Sequence, residues 1–89
     1  MNQAKRKEIR RLIARVDELI VVIESLRGLA DYFCADEQCK LENLPENFED
    51  TVRYQTMENS VDALENAVIN ADDALTSLKR FKDDLEDAL

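Results

Sequence analysis

Two apolar stripes, each advancing in alternating steps of three and four residues, lie on either side of the single proline of this chain. The first comprises Ile9, Leu12, Val16, Leu19, Ile23, Leu26, Ala30 and Phe33. The second comprises Tyr54, Met57, Val61, Leu64, Val68, Ala71, Leu75, Leu78, Leu85 and Leu89, interrupted only by Lys82. Steps of three and four keep side chains on one side of a helix, and their alternation is the spacing of helices that pack along a shared seam. One glycine, one proline and 36% charged residues suit long helices and argue against sheet. The chain is long enough for one small domain.

The spacing predicts helix 1 over about residues 3–40, a connection over about 41–50 and helix 2 over about 51–88. Beyond Phe33 the first stripe decays, because Glu37 and Lys40 fall where its next members would stand. The first helix is therefore expected to fray or end between Cys34 and Asn43. Pro45 disfavours helix at the residue before it and can open a new turn. Asp50 or Thr51 would cap helix 2. Rods of roughly 50–55 Å joined by a short connection form an antiparallel hairpin.

Both stripes are wide. Ile13, Ile20, Cys34 and Leu41 broaden the first on one flank, and Val22 and Leu29 on the other, while Ala67, Ala74, Phe81 and Ala88 broaden the second. A lone hairpin would leave apolar side chains in water, and a chain this small has little core to spare. Self-association into a helical bundle is expected, with Ile13, Ile20, Val22, Leu29 and Phe81 as interface residues. Gly28 costs helix 1 about 1 kcal/mol relative to alanine. Tight packing against a partner helix would explain it, and so would simple tolerance.

Charge is distributed unevenly. Residues 1–44 carry eight basic and eight acidic side chains, while residues 45–89 carry four basic and twelve acidic, which accounts for the net −8. Folding back would set the basic start (Lys5, Arg6, Lys7, Arg10, Arg11, Arg15) beside Asp83, Asp84, Glu86 and Asp87. Mutual compensation is the plainer reading, and a polyanion-binding patch the sharper one. The acidic whole argues against duplex DNA. No stretch approaches the roughly 20 apolar residues that span a bilayer, and the start does not read as a signal peptide. A soluble, cytoplasmic chain is expected.

Catalytic chemistry has little to work with. Histidine is absent, which removes the usual general base near neutral pH and a common metal ligand. Adjacent acidic pairs such as Asp72–Asp73 and Asp83–Asp84 diverge by about 100° on a helix and read as solvated charge. Cys34 and Cys39 would point about 140° apart on a continuous helix. Free thiols are the plainer reading; a disulfide requires that the helix has ended, and a metal requires cysteines pooled from two chains. The chain reads as a non-enzyme without cofactor or metal. If it binds an anionic small molecule or nucleotide, the candidates lie near the connection: Arg53, Tyr54, Arg27, Lys40 and Phe48. Arg53 and Tyr54 would sit at a helix N-terminus, where free amides favour anions. The structural alternative has Arg53 paired with a loop carboxylate, Tyr54 in the seam and Phe48 folded over the bundle end.

The tract from Asn43 to Val68, with its Leu44-Pro45-Glu46 turn, Arg53 and Met57-Glu58, together with the opening Met1 to Ile9, resembles small, mostly uncharacterised helical proteins encoded by bacteriophages and prophages. Those proteins pair a basic start with a Leu-Pro-Glu loop and a Leu/Ala-rich second helix. This chain departs from them at residues 35–40, in the two-cysteine segment. The resemblance implies a phage accessory role in a bacterial host, exercised by stoichiometric binding: sequestering a host immune nucleotide signal or masking a host defence protein. A scaffolding coiled coil and an acidic mimic of nucleic acid are the alternatives.

Overall fold

A computed structural model describes residues 1–48 and 51–89, with Phe48 described for its backbone alone. Helix α1 spans Gln3–Glu42, a 3-10 turn spans Glu46–Phe48, and helix α2 spans Val52–Asp87. The two helices pack along their length as an antiparallel hairpin, a rod of 70 × 15 × 14 Å.

Local chemistry sets the helix ends. The Asn2 side chain accepts a hydrogen bond from the Lys5 amide at 2.9 Å, and Thr51 Oγ1 accepts one from the Tyr54 amide at 3.2 Å. Each supplies an acceptor to an amide that the first helical turn leaves without a backbone partner. The Thr51 cap meets the sequence expectation; Asp50 lies outside the described residues. At the other end of α1, the Asn43 amide donates to Cys39 O at 3.1 Å and the Leu44 amide to Leu41 O at 3.3 Å, just before Pro45.

Helix α1 ends within the range expected for it, at the far limit. It continues unbroken to Glu42, carrying both cysteines on one helix, where they stay free thiols. The charges that break the apolar stripe there are satisfied locally. Lys40 Nζ meets Asp36 at 3.1 Å and Glu37 at 3.5 Å, and Gln38 donates to Glu42 at 2.9 Å. Pairs three and four apart support a helix without tertiary help.

The α2 seam is the one its sequence spacing gives, from Tyr54 through Leu85. Its interruption, Lys82, reaches sideways to Asp17 at 2.7 Å, so the aliphatic stem stays in the seam while the ammonium leaves it. Asp17 holds the Lys82 ammonium above the usual lysine range, opposed by partial burial. The Lys82 charge is therefore present at neutral pH, and the stability linked to its raised pKa is lost as pH rises from the ordinary lysine value through the raised one.

The α1 seam is displaced to one side of the expected stripe. Ile9, Val16, Ile23 and Ala30 face α2 as expected, but the row that completes the seam is Ile13, Ile20, Arg27 and Cys34. Leu12, Leu19, Leu26 and Phe33 stand outside it, each at least 44% exposed. The core is small. Among the described residues, the buried apolar side chains are Val16, Ile20, Val61 and Leu75, and none is completely enclosed. The accessible surface of 6670 Å² exceeds the roughly 5,400 Å² expected of a compact monomer of this mass. The radius of gyration, 20.1 Å, likewise exceeds the roughly 12 Å of a compact domain.

Gly28 is exposed, and a Cβ built on it meets nothing within 4 Å. Close packing within the hairpin therefore does not account for it. Gly28→Ala is expected to stabilise the protein by about 0.5–1 kcal/mol, because alanine restricts the unfolded chain and favours helix. Urea unfolding followed by circular dichroism checks this; a loss of stability would mean that something outside the hairpin packs on that position.

Candidate functional site: an apolar side of the hairpin

At 3.5 residues per turn, the side chains of a seam-forming helix fall into rows about 50° apart. Going round α1, the rows run from Asp17 to Ile20, Val16, Leu19 and Val22. Around α2 they run from Asp72 to Leu75, Leu78, Ala74 and Ser77. The ion pairs between the helices fix how these rows meet. Arg27 Nε donates to Asp72 at 3.0 Å, and Lys82 meets Asp17. Both lie along one edge of the seam, and the Asp72 hydrogen bond raises the Arg27 pKa further above its ordinary value.

The opposite edge is different in kind. There α1 presents the Leu19 row (Leu12, Leu19, Leu26, Phe33) and the Val22 row, in which Val22 and Leu29 stand between Arg15 and Asp36. Helix α2 presents the Ala74 row (Ala67, Ala74, Phe81) and the Ser77 row (Ala63, Asn70, Ser77). The large residues among these are between 44% and 57% exposed. Together they expose roughly 700 Å² of apolar side chain, more than the few hundred common on monomers. One side of the rod is thus tied by ions, and the other is mostly apolar, bulky along α1 and, Phe81 apart, small along α2.

The interface residues expected from the sequence separate on this structure. Val22, Leu29 and Phe81 belong to the apolar side. Ile20 is buried in the hairpin's own core with Val16 and Leu75, and Ile13 is half-buried in the same row. Sequence reasoning placed Leu12, Leu19, Leu26 and Phe33 in the seam; the signal that they form a second face was the width of the stripe.

The ligand candidates near the connection do not converge on a cleft among the described residues. Arg27 is engaged by Asp72, and Lys40 by Asp36 and Glu37. Arg53 is exposed and Tyr54 half-buried in the first turn of α2. The Phe48 side chain lies outside the described residues. A shallow, open depression lies instead on the apolar side, lined by Arg15, Glu18, Leu19 and Val22, far along the rod from Pro45.

Cys34 lies half-buried in the seam, its Sγ 3.9 Å from Val61 O. Burial, with Glu65 and Asp31 nearby, pushes its thiol up, so it stays protonated and unreactive at neutral pH. Cys39 is exposed. Among the described residues no three Cys, Asp or Glu side chains gather as a metal site, and no helix is long and apolar enough to cross a membrane. No protein-family model, curated protein or solved structure matches this chain.

Proposed function

We propose that this chain is a non-enzymatic oligomeric helical protein that acts, once assembled, by stoichiometric binding, and that the apolar side of the hairpin is a protein-contact face. The observation that carries this reading is the half-exposed row Leu12, Leu19, Leu26 and Phe33, flanked by Val22 and Leu29. Apolar patches of this extent, lying on regular structure, mark interaction surfaces. The resemblance to phage accessory proteins supplies a setting: the cytoplasm of an infected or lysogenic bacterium, with masking of a host defence protein as the task. Sequestration of a nucleotide signal is the weaker version. It needs cations available to phosphate, whereas Arg27 and Lys40 are already held by carboxylates.

Two double variants test the reading. Leu19→Lys with Leu29→Lys charges the apolar side. Ala14→Lys with Val21→Lys charges exposed positions on an outward row of α1, away from that side. The first pair is expected to lower the assembly mass or abolish binding of an apolar-surface dye, and the second to change neither. A first pair that leaves both mass and dye binding at wild-type values removes the face as a working surface.

A further inference from the structure

We infer that the occupant of this face is a second copy of the same chain, related by a two-fold axis parallel to the rod, so that each α1 lies between its own α2 and the α2 of the other copy. This rests on the reading of the apolar side as the binding face and names its partner.

The angular layout is the first argument. In α1 the seam toward its own α2 is centred between the Val16 and Ile20 rows, and the second apolar face between the Leu19 and Val22 rows. The two directions are about 100° apart, close to the right angle between a helix's two neighbours in a square four-helix bundle. In α2 the second face, between the Ala74 and Ser77 rows, is turned by the same angle in the same sense. Because the helices are antiparallel, equal turns carry both second faces to one side of the rod. The stripe that dominates the α1 sequence, Val16 and Leu19 with their heptad relatives, then points at the bundle centre rather than at either neighbour. That accounts for its being the strongest pattern in α1 although half of it is exposed on a single hairpin.

Register is the second argument. The ion pairs place Asp17 level with Lys82 and Arg27 level with Asp72, one consistent antiparallel register. A two-fold axis parallel to the rod leaves every height unchanged, so α1 meets the second copy's α2 in that same register. Val22 then comes level with Ser77 of the second copy and Leu29 with its Asn70, while Leu26 and Phe33 fall beside its Ala74 and Ala67. Bulky side chains thus meet small ones along most of the contact, as knobs meet holes. At the rim, Arg15 comes level with Asp84 of the second copy, and the basic start of α1 lies beside two acidic α2 ends rather than one. A two-fold perpendicular to the rod would instead set bulky α1 rows against each other.

Area is the third argument. Roughly 700 Å² of apolar side chain per copy approaches the approximately 800 Å² that each partner contributes to a standard stable interface. Covering it also removes roughly half of the excess surface of the single rod.

Cross-linking decides the geometry. In a Cys34→Ala, Cys39→Ser background, chains carrying Val22→Cys are mixed with size-tagged chains carrying Ser77→Cys, exchanged through denaturant, refolded and oxidised. The tagged–untagged disulfide is expected to exceed the Val22→Cys homodimer by about tenfold, since a disulfide demands close Cβ positions. Preference for the homodimer overturns the parallel axis. A folded single chain that forms neither product overturns the second copy as occupant. In that event the lysine variants above report separately on whether the face binds dye, and hence whether the broader reading stands.

Discussion

Replacing Leu26 by glutamate is expected to split the two-copy protein into single chains that melt roughly 10–20 °C lower than wild type. On an isolated hairpin this substitution would do almost nothing. Leu26 is 57% exposed there, leucine and glutamate have similar helix propensity, and exposed substitutions stay within about 0.5 kcal/mol. In the bundle Leu26 faces the centre, beside Ala74 of the second copy, and the symmetry introduces two carboxylates at once. Loss of the leucine and burial of an unpaired charge cost upwards of about 3 kcal/mol per copy, about 6 kcal/mol for the pair, a loss of association of about 10⁴-fold. Thermal melts at several concentrations check this: the wild-type midpoint should rise with concentration, and the variant midpoint should respond far less over the same range. Val21→Glu, on the outward row, is the matched control and should behave as wild type.

Ile20→Asn is expected to abolish the helical hairpin rather than its pairing. Ile20 is 9% exposed and packs with Val16 and Leu75, the cluster against which Ile23, Leu78 and Leu85 rest. The change removes a buried aliphatic side chain and leaves an amide in the seam without the water it needs, together about 4 kcal/mol. A small domain has little more stability than that. The circular dichroism signal at 222 nm should fall to that of a largely unfolded chain at 25 °C. Retention of wild-type helicity would mean that Ile20 does not hold the two helices together.

These substitutions bracket what was legible in the amino-acid sequence. The α2 seam could be read residue by residue, because its flanks, Phe81 apart, are small or polar and Lys82 was the single ambiguous position. Helix α1 offered two equivalent choices. Its strongest row, Ile9, Val16, Ile23 and Ala30, can be completed by Leu12 and Leu19 on one side or by Ile13 and Ile20 on the other, and periodicity weighs them alike. Asp17 and Arg27 decide the matter by reaching Lys82 and Asp72, contacts that exist only once α2 is in place. The caps at Asn2 and Thr51 were legible because their chemistry is local. The end of α1 at Glu42 falls at the far limit of the range expected for it, because pairing four residues apart can replace apolar burial. The pairing of the candidate ligand groups was not legible for a related reason: whether Arg27 or Lys40 is engaged depends on which carboxylates the fold brings beside it.

Sedimentation equilibrium on the unmodified chain at micromolar concentration tests the central claim most directly. The covered apolar side predicts a single species of twice the 10.3 kDa of one chain. A cooperatively melting species of 10.3 kDa would mean that Leu12, Leu19, Leu26 and Phe33 do not meet a second copy in solution.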